Sequence, residues 1–205
     1  MYLCTKKNRY MTTLYLMRHG ETVDNALQLM QGQVPGQLNA EGLRQASQAS
    51  LEWASRHLDA VVSSDLRRAV DTAAIMARPH GLDVVTTPLL RERDWGDFTG
   101  RYIPDLKGLP WPDNVEKLDH LLHRARRFLS FIFQRYPDQQ VLAVGHGIIN
   151  KAVQAVSRGC TMPEVSRMTN AEVRTIIIDR DFMAALGDGE AEGQSVTNDR
   201  NFSIT

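Results

Sequence analysis

The chain is poor in cysteine, with Cys4 and Cys160 alone in 205 residues. That excludes a disulfide framework and a paired metal-ligand spacing, and it fits a reducing, cytoplasmic setting. Cys160 has Ser166 six positions on, where a cysteine-dependent phosphatase loop would place arginine, so it reads as a small buried residue. An excess of one charge is also missing. Lys plus Arg and Asp plus Glu number 24 each, leaving no global basic field for nucleic acid or an anionic membrane. No apolar run approaches a membrane span, and no signal-type apolar segment follows Lys6, Lys7 and Arg9. Any preference for an anion must therefore be local.

What is present is ordinary for a globular protein, 42% hydrophobic and 23% charged. The expectation is one domain over residues 1–205, with 1–11 a loose extension and 187–205 a mobile tail. A short apolar strand from Leu14 ends in Arg18-His19-Gly20, and Glu21 to Gln37 reads as a loop with at most a helical turn. Asn39 is a candidate N-cap for a helix through Leu43, Ala46, Ser50 and Trp53. Leu58 to Ser63 reads as a strand, followed by a Ser63-Ser64-Asp65 turn into a helix carrying Arg67 and Arg68 in its first turn. Two cations there are disfavoured by the helix dipole, and a bound anion would offset that.

Leu82 to Thr87 is a third strand, Leu89 to Gly100 is irregular, and Ile103 to Asp113 is a connector. Val115 to Tyr136 has the spacing of an amphipathic helix stopped by Pro137. Gln140 to Val144 repeats the opening pattern, a strand ending in Gly145-His146-Gly147, and Ile148 to Ser157 is a helix with Gly159 past its end. Val173 to Ile178 is a last strand. Alternating strands and helices predict an α/β fold, a three-layer sandwich on a mostly parallel sheet.

Two distant strands that each end in histidine beside glycine, and a third leading to arginine, could bring Arg18, His19, Arg68 and His146 to one point at the carboxyl edge of a sheet. Arginine offers phosphate a planar fork that stays charged. A histidine kept neutral by neighbouring cations, with its tautomer fixed, is a competent nucleophile for phosphoryl transfer. A proton for the leaving oxygen could come from Glu92, beside Arg93 and Trp95. Each residue alone has a plainer explanation: a structural histidine, a solvated arginine, an exposed carboxylate, a packing role for Trp95, a core role for Trp53. Arg124, Arg126 and Arg127 read as the wet face of the long helix.

Four elements in order raise the constellation above those explanations. Leu16-Met17-Arg18-His19-Gly20-Glu21-Thr22 with Asn25, Ser63-Ser64-Asp65-Leu66-Arg67-Arg68-Ala69 with Thr72-Ala73, Leu90-Arg91-Glu92 with Gly96 and Gly100, and Gly145-His146-Gly147 together resemble the histidine phosphatase superfamily. The resemblance runs from about Leu14 to about Ile178. It implies that His19 is the phosphorylated nucleophile, that Arg18, Arg68 and His146 hold the phosphoryl group, that Asn25 adds a hydrogen bond and that Glu92 donates the proton. Arg68 is chosen over Arg67 because the family's arginine directly precedes the alanine matched by Ala69. Gln31 and Gly32 fall at the substrate entrance, and the Gly147 amide falls near the phosphate. The family needs no metal or cofactor, and none is expected here.

Departures bear on substrate. Mutases of the family carry a long insertion between acid and second histidine, and the stretch from Glu92 to His146 is short, which points to the phosphatase branch. Arg93 after the acid resembles mutases and sugar bisphosphatases, so it is a candidate for a second anionic group on the substrate. Asn39 replaces the usual threonine, Thr99 a common glutamate, and the Gly-Glu-Ser before the long helix is absent around Asp113-Asn114. The expectation is a metal-independent phosphomonoesterase acting on a small phosphorylated molecule, without nucleic acid or membrane and with oligomeric state open. A mutase and a non-catalytic phosphate or phosphohistidine binder are the alternatives.

Overall fold

The computed structural model describes residues 10–188. Five strands, β1 (Met11–Arg18), β2 (Ala60–Ser64), β3 (Val84–Thr87), β4 (Gln140–Gly145) and β5 (Val173–Asp179), form one sheet in the order β3-β2-β4-β1-β5. The first four run parallel, and β5 lies antiparallel on the β1 edge. Six helices accompany them: α1 (Val23–Ala26), α2 (Ala40–Trp53), α3 (Arg67–Ala77), α4 (Leu118–Arg135), α5 (Gly147–Arg158) and α6 (Arg180–Asp188).

The central strands β1, β2 and β4 are apolar on both sides because both sides are covered, whereas the edge strands β3 and β5 keep exposed positions. Leu14, Leu16, Val62, Val141 and Ala143 pack with α4, α5 and α6, whereas Met17, Val61, Leu142 and Val144 pack with α2 and α3. That alternation along each strand is the period-two pattern of a central sheet, and it yields the expected three layers. Among the described residues no helix is long and apolar enough to cross a membrane.

The boundaries differ from expectation in ways that have local causes. Met11, assigned to a loose extension, opens β1 and donates its N–H to Asp138. Gly187 and Asp188 close α6, a helix the sequence pattern did not indicate, and the rest of both expected terminal segments lies outside the described residues. The long helix starts at Leu118 rather than Val115, because the backbone of Glu116 is engaged sideways: its N–H donates to Asp94 and its carbonyl accepts from Arg93 Nε. Arg124 is not on a wet face. It is largely buried, paired with Glu116, and donates to the carbonyls of Leu89, Arg91 and Glu92. Trp53 and Cys160 are half-buried rather than core, Trp53 standing edge-on to Tyr15 with Arg56 stacked on it.

Candidate active site

The carboxyl ends of the parallel strands converge on a cavity of about 450 Å³. β1 delivers Arg18 and His19, the first turn of α3 after β2 delivers Arg68, the segment after β3 delivers Glu92, and β4 delivers His146 as the N-cap of α5. Arg18, His19, Arg68 and His146 are all buried, with exposures of 7%, 3%, 1% and 0%. Arg67 is exposed and pairs with Asp71, so the two adjacent arginines of α3 face opposite ways.

The hydrogen bonds fix the two imidazoles in opposite tautomers. His19 Nδ1 lies 2.6 Å from the Gly20 carbonyl, which can only accept, so Nδ1 carries the proton and Nε2 keeps its lone pair. Arg68 Nε donates to that lone pair at 3.3 Å and to His146 Nδ1 at 3.1 Å. His146 Nδ1 is thus the acceptor nitrogen, and the proton of the neutral ring sits on Nε2. Burial, and after it the charges of Arg68 and Arg18, hold His19 well below its ordinary value of 6.5. Burial, then Arg68, His19 and Arg18, do the same for His146. Both rings are neutral at physiological pH. Burial lowers Arg18 and Arg68 to about 10, which leaves both charged.

Two buried donors in this cluster, Arg18 Nε and His146 Nε2, have no hydrogen-bond partner. An unmatched buried donor costs about 1–3 kcal/mol, so each of these two is a demand for an acceptor; Arg18 lines the cavity, whereas His146 does not and is reached through Arg68. Arg68 is anchored more fully, its NH1 and NH2 donating to the carbonyls of Val34, Pro35 and Gly32. Glu92 Oε1 accepts from the amides of Arg93, Ile148 and Ile149 at the start of α5, and Oε2 shares only the Ile148 amide. The less engaged oxygen is therefore Oε2. It lies 3.6 Å from where a Gly147 Cβ would stand, with Arg18 Nε 3.8 Å from the same point, so Gly147 sits between acid and cation.

A neutral imidazole whose Nε2 lone pair faces a guanidinium, cationic and N–H donors around it and a carboxylate on the same cavity are what phosphoryl transfer through histidine requires. The model of the histidine phosphatase superfamily, branch 1, matches residues 14–186. The chain belongs to this superfamily. It is 35% identical over 166 residues to a Bacillus subtilis protein named as an uncharacterized phosphatase, covering 78% of this chain and 86% of that one. It is 31% identical over 187 residues to a metal-independent phosphoserine phosphatase of Arabidopsis thaliana, covering 80% and 76%. Among solved structures it resembles a mycobacterial glucosyl-3-phosphoglycerate phosphatase in complex with VO3, with a TM-score of 0.76 and 29% identity over 83% of this chain and 93% of that one.

Within this histidine phosphatase the remaining expected residues divide. Asn25, Gln31, Gly32 and Gly147 line the cavity with Arg18, His19, Arg68 and Glu92. Asn25 also completes a capping box with Thr22 on α1, and its Oδ1 receives the Thr22 amide and the Asn170 side chain, so its Nδ2 is the end left for a ligand. His146 stands behind Arg68 and its ring is 5.0 Å from that of His19. Arg93 does not reach the cavity. Its guanidinium lies over the Trp95 and Trp111 rings and donates to the Glu116 carbonyl, burying it at 1% exposure. The stacking of a weakly hydrated, planar cation on indole explains that placement, and it removes the expected contact of Arg93 with substrate.

Gly20, whose lack of a side chain is expected from the sequence to let backbone approach the His19 ring and the phosphate, has a different task. A Cβ there would stand 2.5 Å from the Gly42 carbonyl, so the constraint is the approach of α2 and not of phosphate. The sequence pattern also missed one wall. Lys151, Pro163, Val165, Ser166 and Arg167 line the cavity from α5 and the loop before β5. Asn170, in the same loop, donates to the His19 carbonyl. The signal that could have found Lys151 is its place four residues after Gly147, on the same helix face.

Proposed function

We propose that this protein hydrolyses phosphomonoesters in two steps through a phosphohistidine on His19. His19 Nε2 attacks phosphorus as the bond to the leaving oxygen breaks, and Glu92 Oε2 protonates that oxygen. Water then attacks the phosphohistidine, giving its proton to the Glu92 carboxylate and releasing inorganic phosphate and free His19. Arg18, Arg68, the Nε2–H of His146 and Nδ2 of Asn25 bind the equatorial oxygens as negative charge shifts to the leaving group. The Arg68 hydrogen bond to His19 Nε2 exchanges for a phosphoryl oxygen when substrate enters.

The observation that carries this reading is the tautomer pair, a buried lone pair on His19 beside the buried, unmatched Nε2–H of His146. Membership of the superfamily supports it, as do relatives named as phosphatases. The cavity, at about 450 Å³, suits a small phosphorylated molecule rather than a polymer. One domain with no nucleic-acid partner, in a reducing compartment where Cys160 stays a free thiol, completes the reading. The test is His19→Ala with an aryl phosphate and with labelled substrate. Turnover and acid-labile protein phosphorylation are expected to vanish together, and hydrolysis retained by that variant rejects the mechanism.

A further inference from the structure

Beyond the catalytic cluster the cavity wall carries two more cations. Lys151 lies on α5, four residues after Gly147, hence on the same face and just over one turn, about 6 Å, farther from the helix start. Arg167 comes from the loop between α5 and β5, and both residues line the cavity. Their charges act on one another and on the site. Lys151 is held below its ordinary value by burial and then by Arg167, and after burial it is Arg167 that most lowers Arg18. A chain with equal numbers of cationic and anionic residues overall thus gathers Arg18, Arg68, Lys151 and Arg167 around one cavity. Glu92 is the carboxylate among the described residues that line it. Concentrating like charges opposes folding and raises the local concentration of anions.

We propose that Lys151 and Arg167 form a second anion subsite, so that the preferred substrates are small phosphomonoesters bearing another anionic group, a carboxylate or a second phosphate, about one helical turn from the ester. Met30, Trp95 and Ile103 line the same cavity and give the intervening carbon skeleton an apolar surface. The role assigned to Arg93 from sequence passes to residues on a different element. This deepens the phosphatase reading and rests on it.

The test compares kcat/KM for 3-phosphoglycerate and glycerol 3-phosphate, which differ by a carboxylate, and for propane-1,3-diol bisphosphate and its monophosphate. Wild type, Lys151→Met, Arg167→Met and Lys151→Arg are measured. Wild type is expected to favour the doubly anionic member of at least one pair by about tenfold, the worth of one charge-assisted contact. Each methionine variant is expected to lose most of that preference, and Lys151→Arg to keep it. The ratio within a pair cancels any general effect of charge on phosphate binding, and the pair that responds separates carboxylate from phosphate. No preference in wild type, or a preference that both methionine variants keep, overturns the subsite. Should one variant fail to fold, the other carries the comparison. Phosphate release from p-nitrophenyl phosphate by wild type is followed in parallel. Its absence rejects the phosphatase reading separately, and the same ratios are then taken as Kd values by calorimetry, with the same outcomes overturning the subsite.

Discussion

At the scale of residues, the site depends on keeping two histidines neutral beside two guanidinium groups. Protonating either ring would put a third positive charge into a buried cluster, which burial and Arg68 both oppose. The same shifts tie folding to pH. An unfolded imidazole titrates near 6.5, and the folded rings titrate well below that, so between those values the unfolded chain holds more protons. Stability is complete above pH 6.5 and falls as pH drops through the window, by about 1.4 kcal/mol per pH unit for each histidine. His80, lowered by burial, adds a dependence of the same sign. Urea unfolding between pH 8 and pH 5 should therefore show a shallower loss for His19→Asn than for wild type, by up to one proton's slope. Parallel curves would mean that His19 is not held neutral by the fold.

At the scale of elements, the His19 turn is set by how closely α2 approaches it. Gly20 and Gly42 meet backbone to backbone, and a Cβ on Gly42 would stand 2.0 Å from the Glu21 carbonyl. Alanine is the better helix former by about 1 kcal/mol. Overpacking against an atom that cannot rotate away costs about 1–3 kcal/mol, so the clash wins. Gly42→Ala is expected to lower the melting temperature and, by shifting the turn that carries His19, to lower kcat. Gly147→Ala is the contrast. Its Cβ would meet Glu92 Oε2 at 3.6 Å, an ordinary contact, but on the cavity wall. It is expected to keep the melting temperature and raise KM. Thermal melts and kinetics on both variants separate the two glycines, and equal losses of stability would contradict the packing assignment. In the sequence Gly20 and Gly147 both follow a histidine. Gly20 differs because its neighbour in space, Gly42, belongs to another element.

At the scale of the whole molecule, β4 inserts between β1 and β2, which brings the two histidine-bearing strand ends side by side with the arginine turn next to them. The strand ends and glycine-flanked histidines were legible as local signals, and a mostly parallel sheet followed from the alternation; the order that sets β4 between β1 and β2 was not, because pairing of distant strands leaves no local mark. The rest of what was not legible lies in side chains whose direction depends on distant partners. Arg93 turns inward onto two indoles, Lys151 and Arg167 turn toward the cavity, and Arg124 leaves the solvent face to hold the acid segment. Arg124 links α4 to the stretch after β3 by donating to three of its carbonyls, and Glu116 neutralises it. Arg91 adds a second tie, pairing with Asp65 so that the segments bearing Glu92 and Arg68 move together. Arg124→Met removes the three backbone contacts and strands a mostly buried carboxylate. Breaking one side of a fully buried pair costs about 3–5 kcal/mol, and this pair, with side chains 16% and 13% exposed, falls below that. The variant should melt earlier, and, with Glu92 less well placed, should lose more activity on alkyl phosphates than on activated aryl phosphates, the pattern expected of Glu92→Gln. Adding Glu116→Met removes the stranded charge and should recover most of the stability, because two apolar side chains replace the pair. It should not recover the ratio of alkyl to aryl activity, because the carbonyls of Leu89, Arg91 and Glu92 still lack their donor. Recovery of both together would show that Arg124 acts on stability alone and has no part in positioning the acid.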